Sequence, residues 1–417
     1  MRITMVLDSG RNFPPDIRVE KEAAALSAAG HDVRIVSVRY AASAPPVDVL
    51  AGTTAKIFRL DLPPLAGHRV MNALRAMLMF DWRWINPLRA HLVAHPTDVL
   101  HVHDLPLVPV VLHVAKGLSL PVVADLHENM PAAMRAVRTG LRPLRRLAES
   151  LVFNYHLMRW LERRALRRCA RVLVVVPEAA ERLFAGGIPR DSVVLVSNTE
   201  NESTFPASPA VDATDLRGRY AGQFILSYIG SVGVHRGLQT VIRGLPQVLS
   251  RRPDVRLLVV GAGEADRRYI TRLAEEHGVT AAVEVVGWVK ADRVDAYLAI
   301  SSICLVPHED LEHTNTTVPH KLFQYMLRRK AVLVSSCPPL ARIVGESGGG
   351  AVFKAGDAAL FAEAVLRMAN DPGGLTRYAE AGWRAATGVY SWTHDARRLN
   401  VMYDGLLSTS RQSRQNT

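Results

Sequence analysis

Short aliphatic runs recur along the chain, each followed by a stretch with helical spacing, and this alternation occurs twice. In the first half the runs are ITMVL (3–7), VRIVSV (33–38), VLHVH (99–103), VVADL (122–126), VLVVV (172–176) and VVLVS (193–197). Helical stretches at 16–29 and 106–116 end at Gly30 and Gly117, and Asp16 suits the N-cap of the first. In the second half FILSYIG (224–230) precedes a helix over 237–250, and VRLLVVGAG (255–263) precedes one over 264–277. VEVVG, ICLVP and AVLVSS follow with helices between them. Continuously aliphatic strands separated by helices specify parallel sheets covered on both faces. The stretch 198–215 is polar, holds two prolines and suits a linker. The pattern predicts an α/β fold of two doubly wound, Rossmann-like domains, 1–200 and 208–388, facing a central cleft. Ligands of such sheets sit at the carboxyl ends of the strands. The segment 390–407 has helical spacing at Ala396, Leu399, Met402 and Leu406 and is expected to pack back on the first domain, with 408–417 a disordered tail.

Composition narrows the class. The 417 residues are 48% hydrophobic and 22% charged, ordinary for a folded chain, and the 6% of aromatics leaves the core to aliphatic side chains. Cys169, Cys304 and Cys337 lie far apart and make neither a metal spacing nor a disulfide framework. The opening MRITMVLDSG lacks a signal-peptide layout, and the most apolar long run, 108–124, is interrupted by His113, Lys116 and prolines. A cytoplasmic protein is expected. The net charge is +12, and between 131 and 171 eleven arginines face only Glu149 and Glu162, so one surface is basic. That stretch reads as two amphipathic helices broken at Pro143, with either a solvated basic face or a peripheral contact with anionic lipid at the inner face of a membrane. Trp82 and Trp84, beside arginines in 68–92, fit the same side.

Several loops carry candidate chemistry. The loop 230–237 (GSVGVHRG) follows a strand, opens a helix and adds the charge of Arg236, an arrangement suited to an anion. It is neither a GxGxxG nor a P-loop, which argues against a nicotinamide-dependent oxidoreductase. GAG at 261–263 reads as an ordinary glycine turn. The stretch TTVPHKLFQYM (316–326) reads as a short helix capped by Thr316 or Thr317, with Pro319 in its first turn and Lys321 adding charge. Gln324 lies off its apolar face, where an amide can bond hydroxyls. In the first half, Asp125, His127 and Glu128 end a buried strand and HVHD (101–104) repeats the theme on its neighbour. A metal is not expected, because no i, i+4 or CxxC ligand spacing is present. Arg18 either pairs with Glu22 at i, i+4 or faces an anionic substrate.

Taken in order, DSGRNFPPDIRVEKEAAALSAAGHDV, DLHE, YIGSVGVHRGLQTVI, LLVVGAGE, VGWV, VPH (306–308), VPHKLFQYMLRRKAVLV and YSWT resemble the retaining, nucleotide-sugar-dependent glycosyltransferases of family four, which have the GT-B fold. The resemblance covers nearly the whole chain. It implies a second domain that binds the donor, with Ser231, Arg236, Thr316, Thr317 and Lys321 at the diphosphate and Gln324 at the ribose. It implies a first domain that binds a sugar or lipid-linked acceptor, with His127 as the catalytic residue near the reacting sugar and Gly10, Arg18, Asp125 and Glu128 in the cleft. No metal or other cofactor and no nucleic acid is implied. Two departures stand out. Relatives often carry two glutamates with seven residues between them where this chain has Thr316 and Gln324, and an arginine where it has Ser231. Rival readings are a sugar-nucleotide epimerase or hydrolase, which can share this two-domain shape, and a non-catalytic partner of a transferase, which the missing glutamates suggest.

Overall fold

A computed structural model describes residues 1–64, 69–137, 149–150, 152–202, 205 and 212–415. The described chain divides into two compact units, Met1–Ser197 with Asp395–Thr417, and Asn198–His394.

The first unit is built on β1 (Arg2–Val6), β2 (Asp32–Val38), β3 (Val47–Val49), β4 (Lys56–Leu60), β5 (Val99–His103), β6 (Val122–Leu126), β7 (Arg171–Val174) and β8 (Val193–Leu195). Their order is β3-β4-β2-β1-β5-β6-β7-β8, parallel throughout except for the antiparallel pair β3–β4. The second unit holds β9 (Phe224–Ile229), β10 (Val255–Val260), β11 (Val283–Val286), β12 (Ile303–Val306), β13 (Ala331–Ser335) and β14 (Gly350–Phe353), all parallel, in the order β11-β10-β9-β12-β13-β14. Both are Rossmann-like α/β domains, with the sheet order reversing at β1 and at β9.

The aliphatic runs become strands because a strand covered on both faces must be apolar along its whole length. Leu226, Leu257, Val259, Leu305 and Leu333 are fully buried, each contributing on the order of 2 kcal/mol. The first helix, Ile17–Ala28, starts where expected: the Asp16 side chain accepts hydrogen bonds from the amides of Arg18 and Val19. β3, β4 and β14 were not foreseen. Val47 and Val49 of β3 are more than half exposed at the sheet edge, so no burial pattern marks them. β14 begins inside the glycine run 348–350, which reads as a loop. The last helix, Trp392–Gln415, continues through residues expected to be disordered from 408 onward. Pro143 and the break predicted there lie outside the described residues; on either side run the helices Met130–Val137 and Tyr155–Leu166.

Candidate active site

In the second unit, β9 runs into the loop 230–237 and β12 into a loop that leads to the helix His320–Leu327. Two glycines let these loops meet. Gly237 has φ +75°, and a Cβ there would lie 1.7 Å from the Pro307 carbonyl oxygen. Gly230 has φ +121°, and a Cβ there would lie 3.0 Å from the Lys321 Nζ. The two loops are pinned by the Glu309 amide donating to the His235 carbonyl at 3.0 Å, and by the Glu309 carboxylate accepting from Thr240 at 2.8 Å and Gln239 at 2.9 Å.

The result is a cluster of donors at the carboxyl ends of β9 and β12. Arg236 Nη1 lies 3.2 Å from His308 Nε2, while Arg236 Nε, His308 Nδ1 and Lys321 Nζ are buried without a hydrogen-bond partner among the described residues. The Lys321 side chain is partly exposed along its stem, but its Nζ is covered and sits 3.7 Å above the Tyr228 ring. Burial, then repulsion from Arg236, hold the Lys321 ammonium well below its usual range, and burial with the same repulsion holds His308 neutral. Burial likewise pushes His235 and His313 down to about 4. Charges and donors gathered without a buried carboxylate between them are what an anion requires.

In the first unit the carboxyl ends of β5 and β6 lie side by side, with His103 opposite Asp125. Asp125 is fully buried and receives a two-pronged bond from Arg18, Nε at 2.8 Å and Nη2 at 2.7 Å. Arg18 Nη1 also donates to the Val196 carbonyl at 3.0 Å, and Nη2 lies 3.0 Å from Glu22. His127 Nε2 lies 2.8 Å and His103 Nδ1 3.2 Å from the same Asp125 oxygen. These two nitrogens are 3.2 Å apart because both donate to that oxygen, not because they bond each other. Burial opposes ionisation of Asp125, but Arg18 and then His127 hold it well below the usual carboxylate range. Burial and repulsion from Asp125 push Glu22 up to about 8, so one acid of the pair is neutral at pH 7. Burial would lower His127, but Asp104 and then Asp125 outweigh it and push it up to about 9. His101, pushed down to about 4 by burial and His103, is tied by Nδ1 to the Tyr403 hydroxyl at 2.7 Å. Glu22, His101, His103 and Asp125 each bring a ligating atom within 4.8 Å of one another. Arg18 already balances Asp125, the ionised acid of this group.

Comparison with known proteins decides the class. Residues 15–199 match the family model described as glycosyl transferase 4-like domain, and 223–371 match glycosyl transferases group 1. The chain belongs to the glycosyltransferases. It is 20% identical over 250 residues to the alpha-D-kanosaminyltransferase of Streptomyces kanamyceticus, a match spanning 59% of this chain and 63% of that protein. It is 22% identical over 411 residues to the phosphatidyl-myo-inositol mannosyltransferase of Mycobacterium leprae, spanning 97% of this chain and 96% of that one. Among solved structures, sucrose-phosphate synthase from Thermosynechococcus elongatus superposes with a TM-score of 0.78 at 18% identity, covering 98% of this chain and 99% of that one. HepE from Anabaena, in complex with UDP-glucose, superposes at 0.70 and 15%, covering 97% and 100%.

The structure places the predicted residues of this glycosyltransferase unevenly. Arg236 and Lys321 come together with the exposed Ser231 loop, and Gly261 of the GAG turn packs its backbone on Gly230. Thr316 and Thr317 do not cap the helix: Pro319 is its N-cap, and the Thr316 hydroxyl donates to the Glu312 and His313 carbonyls in a turn of its own. Gln324 donates to the buried Glu200 carboxylate at 3.2 Å, an acid that nothing in the sequence connects to it. Arg18 and Asp125 are buried in an ion pair, and Arg18 also makes the expected i, i+4 pair with Glu22. His127 is partly exposed, Glu128 is exposed, and the exposed Gly10 bonds through its amide to Asp8. His308 was given no role, and His103 was noted only within HVHD, without a role of its own. Their signal was position: each ends, or closely follows, a buried strand at its carboxyl end.

Proposed function

We propose that this glycosyltransferase moves a sugar from a nucleotide-sugar donor to a hydroxyl of a sugar or lipid-linked acceptor, with retention of anomeric configuration, in the synthesis of a polysaccharide or other glycoconjugate. The observation that carries the reading is the covered Lys321 Nζ, held without a hydrogen bond among the described residues, beside Arg236 and His308. A diphosphate supplies the acceptors these groups need, and the UDP-glucose bound to HepE fits a donor of that chemistry. Arg236, joined by Lys321 when a bound diphosphate restores its proton, carries the charge that a cation would otherwise bring, so the reaction is read as metal-free. At neutral pH His127 is protonated and acts as a hydrogen-bond donor to a sugar hydroxyl, not as a base. The acceptor proton then leaves to an oxygen of the donor phosphate. Gln324, together with Glu200, is read as facing the ribose.

Peripheral contact with an anionic membrane is part of the same reading. Among the described residues no helix is long and apolar enough to cross a membrane. The helix Arg69–Leu78 exposes Met71, Leu74 and Leu78 at helical spacing, and Trp82 and Trp160 are exposed near arginines. Flotation with liposomes containing anionic lipid tests this, and failure to co-float contradicts it.

The transferase reading is tested by thermal shift with UDP-, GDP-, dTDP- and ADP-sugars, since a ligand bound only by the folded state raises stability. At least one is expected to stabilise the protein, and an α-linked donor is expected to yield an α-linked product by NMR. No shift with any donor counts against the reading. Donor consumption without an acceptor favours the epimerase or hydrolase, and full activity lost to a chelator contradicts the metal-free account.

A further inference from the structure

β11 closes one end of the second unit's sheet, two strands away from β9 and the Lys321 cluster. Only one of its edges is paired. The Gly261 amide, just past β10, donates to the Val286 carbonyl at 3.1 Å. Backbone groups of successive strand residues face opposite edges, so Glu284 faces β10 as Val286 does. The carbonyls of Val283 and Val285 and the Val285 amide then face outward, while the Val283 amide is taken by the Thr280 carbonyl. Among the described residues no strand lies beyond β11. Proteins commonly close such an edge with a lysine, a proline or a covering segment, and VEVV holds neither of those residues.

A groove of about 640 Å³ runs along this edge, and β11 itself forms one of its walls. The other walls bring Arg219, Arg256 and Arg267 against one carboxylate, that of Glu284. Glu284 is already engaged, by Arg219 Nη2 at 2.9 Å and by the Tyr220 hydroxyl at 2.9 Å. Arg256 Nη1 donates to the carbonyls of Pro253 and Val255, which leaves its charge unbalanced, and Arg267 is exposed. The covered Gln223 Oε1, also in the groove, is an acceptor without a partner among the described residues. Leu258 is the register partner of Glu284, so Arg256, two residues before it, lies on the same face of the sheet as Glu284.

The edge and the charge together define an occupant. Outward backbone groups require an extended chain, and unbalanced guanidiniums require carboxylates. A second copy that offered its own β11 would bring the same arginines and be repelled. We propose that β11 is a docking edge for another protein, whose extended segment adds to the sheet through the Val283 and Val285 backbone and places Asp or Glu side chains at Arg219, Arg256 and Arg267. The proposal does not depend on the transferase reading.

The test is calorimetric titration of the full chain with three hexapeptides, each acetylated and amidated at its ends. The first alternates valine and glutamate, the second alternates valine and lysine, and the third is the first N-methylated at every residue, so that it keeps its charge but cannot donate to a strand. Wild type is expected to bind the acidic peptide at least about tenfold more tightly than either control, from lost ladder hydrogen bonds in one case and reversed charge in the other. Val285→Pro removes the outward amide at an edge position, where proline leaves the β10 ladder intact, and should abolish binding. Arg267→Glu, on the exposed side of the groove, should weaken the acidic peptide and not the basic one. Circular dichroism checks that both variants fold. Absence of saturable binding of the acidic peptide up to millimolar concentration overturns the proposal, as does equal binding of all three peptides, or acidic binding unchanged in both folded variants. Sedimentation showing a wild-type dimer that Val285→Pro abolishes also overturns it, because the edge would then belong to a second copy. If a variant does not fold, the ranking of the three peptides on wild type still decides.

Discussion

Replacing Lys321 by methionine separates a binding role from a structural one. The stem of the side chain is kept, while the covered ammonium, which lies 3.7 Å over the Tyr228 ring and has no hydrogen-bond acceptor among the described residues, is removed. A hydrogen bond from a charged group to a phosphate is worth about 1.5–3 kcal/mol net. Its removal weakens a nucleoside diphosphate by roughly 10- to 150-fold. The free protein responds in the opposite sense. Burial and Arg236 already hold Lys321 well below its ordinary range, so a cost in folding free energy builds as pH falls from the ordinary lysine value and is complete below the depressed one, and the substitution removes that cost. The cation–π attraction between the ammonium and Tyr228 is worth about 0.5–2 kcal/mol in the other direction, which leaves the free variant roughly as stable as wild type or more so. The assay pairs calorimetric titration of the nucleoside diphosphate with chemical denaturation of the free protein. Unchanged affinity refutes the reasoning. So does a drop in stability above about 1 kcal/mol with affinity intact, because the lysine would then be serving the fold.

Other consequences follow from the same geometry. Arg18→Met strands the buried Asp125 carboxylate and is expected to cost about 3–5 kcal/mol in denaturation; a cost below about 1 kcal/mol contradicts the paired reading. Glu22 and His127 both have folded values raised above their unfolded ones, to about 8 and about 9, so each contributes stability that is complete below its unfolded value and fades as pH rises through the folded one. The thermal midpoint should therefore fall between pH 7 and pH 9.5, and fall less in Glu22→Gln, where only His127 titrates; an unchanged slope contradicts this. Gly237→Ala must place a Cβ 1.7 Å from the Pro307 carbonyl at a positive φ, and should cost about 2 kcal/mol or more and weaken the nucleoside diphosphate; a neutral outcome means the two loops are not pinned as described.

The parallel core was legible in the sequence because burial on both faces writes itself as uninterrupted aliphatic runs; VLHVH and VVADL match β5 and β6 residue for residue. β3 leaves no such mark because Val47 and Val49 are exposed, and β4 because buried and half-buried residues alternate along KIFRL. The site was legible where a residue type sits at a strand end and carries a full charge, as with Arg236 and Lys321. It was illegible where the role depends on partners distant in sequence. Nothing in IRVEKE shows that Arg18 is bound to a carboxylate 107 residues away, and nothing in KLFQYM shows that Gln324 meets Glu200. The threonines misled because Pro319 gives the helix an extended N-cap residue without a side-chain acceptor, so the helix begins later than a capping threonine would place it.

The central claim is that the second unit recognises a diphosphate through Lys321 and Arg236. The direct test takes the base whose nucleotide gives the largest thermal shift and titrates its nucleoside, monophosphate and diphosphate against the full chain by calorimetry. The account predicts that affinity rises at each added phosphate, and that Arg236→Ala removes most of the gain. Equal affinity for nucleoside and diphosphate, or a diphosphate gain that survives removal of both Arg236 and Lys321, would contradict it.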